Sequence, residues 1–191
     1  LNRYHPGIAL ASSFGAEDVV VIDLMCKVLP NPRIFSLHTG RLHQETYDVM
    51  EWIREKYNIS IEVYFPKSDT VEKMVREKGL NLFYHSIENR KLCCNVRKVE
   101  PLNRALSGLH GWITGLRRQQ AVTRTDVPKV EFDADHGGIL KVNPIVDWTR
   151  DQVWDHIRKN KIPFNTLHDR GFPSIGCAPC TRAIQPGDDE R

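Results

Sequence analysis

"GIALASSFGAEDVVVIDLMCKVL", residues 7–29, decides the architecture of this chain. Residues 7–13 are a short apolar run ending in a turn, the pattern of a strand. Residues 16–29 place Val20, Ile22, Leu24, Met25, Val28 and Leu29 over a length that suits a helix despite its β-branched run, and Pro30 and Pro32 stop it. The alternation continues downstream. "RIFSLHTG" (33–40) reads as a second strand ending in a polar loop, and "LHQETYDVMEWIREKY" (42–57) carries Leu42, Tyr47, Met50, Ile53 and Tyr57 at helical intervals. "SIEVYFP" (60–66) alternates as a third strand. "DTVEKMVREKG" (69–79) reads as a helix with Asp69 as N-cap and Gly79 past its end. Strand and helix in strict succession predict an α/β fold built on a mostly parallel sheet. Ligands of such sheets collect at the carboxyl ends of the strands, which singles out "SSFGAED" and "HTGRL".

The second half is less regular. Residues 95–106 are expected to be helical around Pro101, 111–116 and 139–148 to be strands, and 149–160 a helix opened by a Thr149/Gln152 capping box. From Pro163 onward, glycines and prolines forbid regular elements. No internal repeat is present.

The 191 residues suit one moderately large domain able to bury a core without disulfides. Charged residues are 27% and the formal net charge is +3, too weak to argue for nucleic acid by bulk electrostatics. No run of apolar residues is long enough to span a membrane, and the N-terminus lacks a signal-peptide layout.

Five cysteines in such a chain argue for metal or catalytic thiols rather than a disulfide scaffold. Four of them form two pairs, Cys93–Cys94 and Cys177-Ala-Pro-Cys180. Vicinal cysteines are poorly placed for an unstrained bridge to each other, since their Cα atoms lie about 3.8 Å apart. Two pairs supply four thiolates, the complement of either a [4Fe–4S] cluster or a Cys₄ zinc site, although a vicinal pair is unusual for zinc. Cys26, inside the apolar run of residues 16–29, reads as core.

Three loops invite anion binding. "SSFGAED" places small residues and hydroxyls between a strand and a helix start, where backbone N–H groups can receive an anion; an ordinary turn reads equally well. Walker and dinucleotide fingerprints are absent. "HTGRL" closes the next strand. "TGLRRQQAVTR" places Arg117, Arg118 and Arg124 after another, as guanidinium forks for phosphate or sulfate or as a solvated basic loop.

Taken in order, "SSFGAED", "HTGRL", "CCNVRK", "TGLRRQQAVTR", "GCAPCT" and "GDDER" resemble assimilatory adenylylsulfate (APS) reductases, the iron–sulfur branch of the APS/PAPS reductase family. The resemblance runs from about residue 8 to the last residue, and the CC…CxxC combination is its most specific element. It implies an adenine-nucleotide α-hydrolase-like three-layer fold, with helices on both faces of the sheet. Residues 1–165 would be the nucleotide-binding α/β domain including the CC motif, and 166–191 an irregular segment of the same domain with the CxxC and the start of a tail.

The resemblance further implies reduction of APS to sulfite and AMP in sulfate assimilation and cysteine biosynthesis. Electrons would come from thioredoxin or a glutaredoxin-like reductant through an enzyme S-sulfocysteine. Carried onto this sequence, Cys93, Cys94, Cys177 and Cys180 would hold a [4Fe–4S] cluster. Ser12, Ser13, Phe14, Gly15 and Gly115 would cradle the nucleotide, with Leu37, Thr39 and Gly40 on the adenosine side. Lys98, Arg124 and Arg191 would face the phosphosulfate, with His136 a neighbour. Lys98, four residues after Cys94, is expected about one helical turn away, within reach of both cluster and anion. The resemblance also implies a cytoplasmic protein, or one of the plastid stroma after transit-peptide removal, with no nucleic-acid or membrane partner and room for a homo-oligomer.

The family's tail continues past "GDDER" to an ECGLH-like end, whereas this sequence stops at Arg191. None of its five cysteines fits the nucleophile, so these residues are expected to bind substrate without releasing sulfite. Three alternatives stay open: PAPS reduction on the same scaffold, an ATP pyrophosphatase-type adenylyltransferase, and a zinc-stabilised nucleotide-binding module. The adenylyltransferase would want an SGGxDS-like loop and leaves four cysteines unexplained.

Overall fold

The structure, a computed structural model, describes residues 5–120 and 126–184. Among these, six strands form one sheet: β1 (Ile8–Ala11), β2 (Ile34–Leu37), β3 (Glu62–Tyr64), β4 (Gly111–Ile113), β5 (Val130–Asp133) and β6 (Ile139–Val142). Their order across the sheet is β3-β2-β1-β4-β6-β5. Every pairing is parallel except that of β5 with β6. The chain steps outward from β1 through β2 to β3, then returns to the other side of β1 as β4. The reversal leaves a crevice at the carboxyl ends of β1 and β4, the usual ligand position in open α/β sheets.

Three layers follow from where the apolar side chains go. On one face Leu10, Ile34 and Ile113 meet α1 (Ala16–Val28), α2 (Gln44–Tyr57) and α6 (Arg150–Lys159) through Val20, Val49, Ile53, Val153 and Ile157. On the other face Ala9 and Phe35 pack beneath α5 (Glu100–Leu106) through Ala105 and Leu106. A third, smaller cluster of Met74, Leu82, Phe83, Cys93 and Val96 joins α3 (Ser68–Lys78) to α4 (Ile87–Cys94). It seats the vicinal cysteines beside the sheet rather than within it.

The structure departs from the sequence reading at four places, one of them a strand it did not foresee. The third helix begins at Ser68 with Lys67 as N-cap, and Asp69 sits in its first turn, accepting the Thr70 N–H at 2.9 Å. β6 stops at Val142, because Asn143 turns inward to bond Thr114 and the Pro128 carbonyl. β5, which carries only Val130 and Phe132 as large apolar residues, has too short an alternation to stand out. Residues 95–106 are helical, but Asn95–Val99 form a π turn in which the Glu100 N–H reaches the Asn95 carbonyl. Pro101 explains it: it has no N–H for a regular bond and its ring crowds the preceding turn, so the helix widens just before it. The Thr149/Gln152 capping box of α6 is present. No helix among the described residues is long and apolar enough to cross a membrane.

Candidate functional site

The crevice is lined first by the loop after β1. Ser12 is buried; its N–H donates to the Phe35 carbonyl and its hydroxyl oxygen accepts the Phe14 N–H at 3.1 Å. Phe14 is fully buried with φ +59, a left-handed conformation that a bulky residue adopts only when its surroundings compel it. Gly15 is the N-cap of α1 and offers no side-chain cap. The first turn of α1 supplies its own anion instead. The Asp18 carboxylate accepts from the Ser13 N–H at 2.6 Å and from the Ser13 hydroxyl at 2.8 Å. Burial pushes the Asp18 carboxyl up to about 6, against the pull of the Ser13 and Gly15 donors.

Gly115, at the end of β4, explains why a glycine stands there: a Cβ would come 2.4 Å from Asp18 Oδ1. The two arginines just beyond it differ in exposure, Arg117 being buried and the Arg118 side chain 38% exposed. Arg117 donates to Glu17 of α1 at 2.7 Å, while Arg118 pairs with Asp147. Thr114 donates to Asn143 at 2.5 Å, joining the ends of β4 and β6. The loops after β1, β4 and β6 are thus one hydrogen-bonded frame.

The loop after β2 is the junction with the cysteines. Thr39 is buried, and its hydroxyl lies 3.1 Å from Cys177 Sγ. The Ala178 N–H donates to the Arg41 carbonyl at 2.8 Å, and Leu42 forms a β-bridge with Cys177. From the other side, Arg97 in the π turn donates to the Thr39 carbonyl at 2.7 Å and leaves its Nε buried without a partner. Gly40, at φ +75, brings its backbone so close that a Cβ would lie 3.1 Å from Arg97 Nη1. One three-residue turn therefore holds both cysteine segments.

Each pair lies in the electrostatic field of the other. Burial pushes the Cys93 thiol up, Arg97 pulls it back, and Cys94 and Cys177 push it further. Burial also raises Cys180, with Cys177 and Cys94 adding to it and Arg90 opposing. Cys94 and Cys180 are exposed. Among the described residues no three His, Cys, Asp or Glu side chains are gathered closely enough to grip an ion. In kind, however, the donor set fits a four-thiolate centre: four sulfurs, cations nearby and a hydroxyl against one of them.

Several expected residues are brought together here: Ser12, Ser13, Phe14, Gly15 and Gly115 at one end, with Thr39, Gly40 and the four cysteines at the other. Leu37 ends β2, and its side chain packs on the α5 face. Lys98 is exposed and makes no bond among the described residues, because the π turn gives the inward position to Arg97. His136 is not brought to the site. It sits in the turn from β5 to β6, at the amino end of the parallel strands, bonded to Asp133 at 2.9 Å. Arg124 and Arg191 lie outside the described residues. Cys26 packs partly buried against the main core, its thiol pushed to about 11 by burial and by Asp23. Sequence reading passed over Asp18 and Glu17, although both stand inside the quoted "SSFGAED", and over Arg97, hidden beside Lys98.

The phosphoadenosine phosphosulfate reductase domain matches residues 7–183. An adenosine 5'-phosphosulfate reductase of Burkholderia cepacia is 50% identical over 192 residues, a match covering all of this chain and 76% of that protein. The crystal structure of a phosphoadenylyl-sulfate reductase from Candida auris, a phosphate complex, superposes with a TM-score of 0.80 at 29% identity, covering 95% of this chain and 86% of that one. An FMN adenylyltransferase of Candida glabrata shares the fold alone, with a TM-score of 0.63 at 14% identity over 93% of this chain and 58% of that one. The domain match, the relative's identity and the strand-end geometry together place this chain in the phosphoadenosine phosphosulfate reductase family.

Proposed function

We propose that this protein is an adenylylsulfate reductase of sulfate assimilation. It would bind APS across the carboxyl ends of β1, β2 and β4, with a [4Fe–4S] cluster on Cys93, Cys94, Cys177 and Cys180. The observation that carries this reading is the Thr39 turn, whose hydroxyl meets Cys177 while its carbonyl meets Arg97 three residues past the vicinal pair. A sulfonucleotide seated on the strand ends would pass that turn with both cysteine segments beside it.

In this reading Ser12, Ser13, Phe14, Gly15 and Gly115 receive the nucleotide, and Leu37, Thr39 and Gly40 line the adenosine side. Lys98, with Arg124 and Arg191, faces the phosphosulfate. A thiolate attacks the sulfur, the bond from sulfur to the AMP phosphate oxygen breaks, and AMP leaves with the electron pair. Fixed cations aimed at that oxygen stabilise the developing charge. One thiol of a thioredoxin-type reductant then attacks the S-sulfocysteine, sulfite departs, and the second thiol closes the reductant's disulfide and regenerates the cysteine. When bound, the cluster would supply a rigid charged centre tying two chain segments beside the anion. Cys26, partly buried against the core with a thiol pushed to about 11, is not offered as the nucleophile.

The Candida auris neighbour gives the PAPS alternative a specific basis, and titration separates the two. APS is expected to bind the iron-loaded protein at least about tenfold more tightly than PAPS, a difference of about 1.4 kcal/mol. Lys98→Ala is expected to weaken APS by about 10–100-fold while sparing AMP. PAPS binding more tightly would favour the alternative, and no binding of either nucleotide would overturn the reading.

A further inference from the structure

The turn that holds both cysteine segments has a weak point at its centre. Gly40 has φ +75, and a glycine has little intrinsic preference for that value over others. Rotation there would swing the Thr39 carbonyl off Arg97 and the Arg41 carbonyl off the Ala178 N–H. Two side chains oppose it. The Arg41 N–H donates to Thr39 Oγ1 at 3.2 Å, and the Gly40 N–H donates to His38 Nδ1 at 3.1 Å. A backbone N–H only donates, so Nδ1 presents its lone pair there and the proton of the neutral ring is on Nε2. The ring is itself held from several elements. Phe65, just past β3, stacks on it with centroids 4.3 Å apart and an interplanar angle of 24°, and Tyr47 of α2 lies 5.2 Å away at 30°. The His38 N–H donates to the Tyr64 carbonyl at 2.9 Å, and Arg104 of α5 donates to the Phe65 carbonyl at 2.5 Å.

We propose that His38 is a positioning residue for the cysteine turn. Its Nδ1 lone pair fixes Gly40, and through Gly40 it sets the Thr39 hydroxyl against Cys177 and the Thr39 carbonyl against Arg97. The aromatic neighbours orient the ring, and the nitrogen holds the turn. Two substitutions separate these parts. Asparagine carries Oδ1 on Cγ, where histidine carries Nδ1, and so keeps the acceptor without the ring. Phenylalanine keeps a flat ring without the acceptor. The effect on substrate rests on the adenylylsulfate reading; the placement of the turn does not.

Hydrogen exchange read by mass spectrometry on the full chain tests the proposal, with far-UV dichroism as the check on folding. His38→Phe is expected to speed exchange at least about fivefold in peptides spanning 37–42 and 176–181, while His38→Asn stays within about twofold of the unsubstituted protein. On the iron-loaded protein, His38→Phe is expected to weaken APS about fivefold and His38→Asn to leave it unchanged. An Asn variant exchanging as fast as the Phe variant would assign the turn to the ring. A Phe variant that exchanged normally, or held APS as tightly as the unsubstituted protein does, would leave the nitrogen idle. Faster exchange confined to 37–42 would cut the link to the cysteines. Each of these results would overturn the proposal. The expected exchange pattern in a protein that bound no APS would instead overturn the adenylylsulfate reading and leave His38 in its place.

Discussion

Two carboxylates five residues apart on α1 are driven in opposite directions. Asp18 faces the strand ends, is buried against Gly115 and titrates near 6. Asp23 faces the back of the molecule, where it accepts from Lys27 at 2.6 Å, His156 at 2.7 Å and Tyr57 at 2.9 Å. Burial alone would raise Asp23 too, yet these three donors outweigh it and hold the carboxyl below its usual value. One helix thus carries a strand-end face assembled against local preference, with a left-handed Phe14 and a buried acid bonded by the neutral Ser13 donors, and a back assembled for stability. Asp23 locks α1 to α2 through Tyr57 and to α6 through His156. Strain concentrates where the chain must present donors to a ligand.

The largest test of this contrast is Phe14. Its ring is fully buried and anchors the turn that orients Ser12 and Ser13, so Phe14→Ala should cost about 3–5 kcal/mol in denaturant unfolding. A loss below about 1 kcal/mol would mean that the turn is held by its hydrogen bonds instead.

Next comes Asp18. Its folded-state value lies above that of an unfolded aspartate near 3.9, so the folded state binds more protons between the two. Its contribution is fully present below about pH 4 and is lost as pH rises through 6, about 3 kcal/mol in all. Asp18→Asn should flatten that part of the stability profile; an unchanged profile would contradict the burial argument.

Asp23 has the opposite sign and a smaller effect. Its stabilisation is present above the unfolded value and is lost as pH falls below about 4 toward its lowered folded value. Asp23→Ala should cost about 1–3 kcal/mol at pH 7 and leave APS affinity unchanged, because none of its partners borders the crevice. A loss of affinity would show that the two ends of α1 are coupled.

Much of this was legible in the residues. The alternation of β1, α1, β2, α2 and β3 follows from apolar spacing and from Pro30 and Pro32, and the strand-end rule pointed to "SSFGAED" and "HTGRL" before any coordinates. The paired cysteines pointed to a shared centre, and the Thr39 turn holds the two segments that carry them. What stayed hidden depends on contacts made across the fold. Arg97 and Lys98 are neighbouring cations, and only the π turn before Pro101 decides that Arg97 turns inward. Arg117 read as a phosphate fork or as part of a solvated loop, and its burial against Glu17, a hundred residues earlier, matches neither. His136 was expected near the anion, but the antiparallel β5 carries it to the opposite end of the sheet.

The central claim is that Cys93, Cys94, Cys177 and Cys180 serve one inorganic centre beside the nucleotide crevice. Iron and acid-labile sulfide analysis with Mössbauer spectroscopy, after anaerobic reconstitution, tests it most directly. The account predicts about four irons and four sulfides per chain, lost in Cys94→Ser and in Cys177→Ser alike. Stoichiometric zinc without iron, or iron retained when either pair is broken, would contradict it.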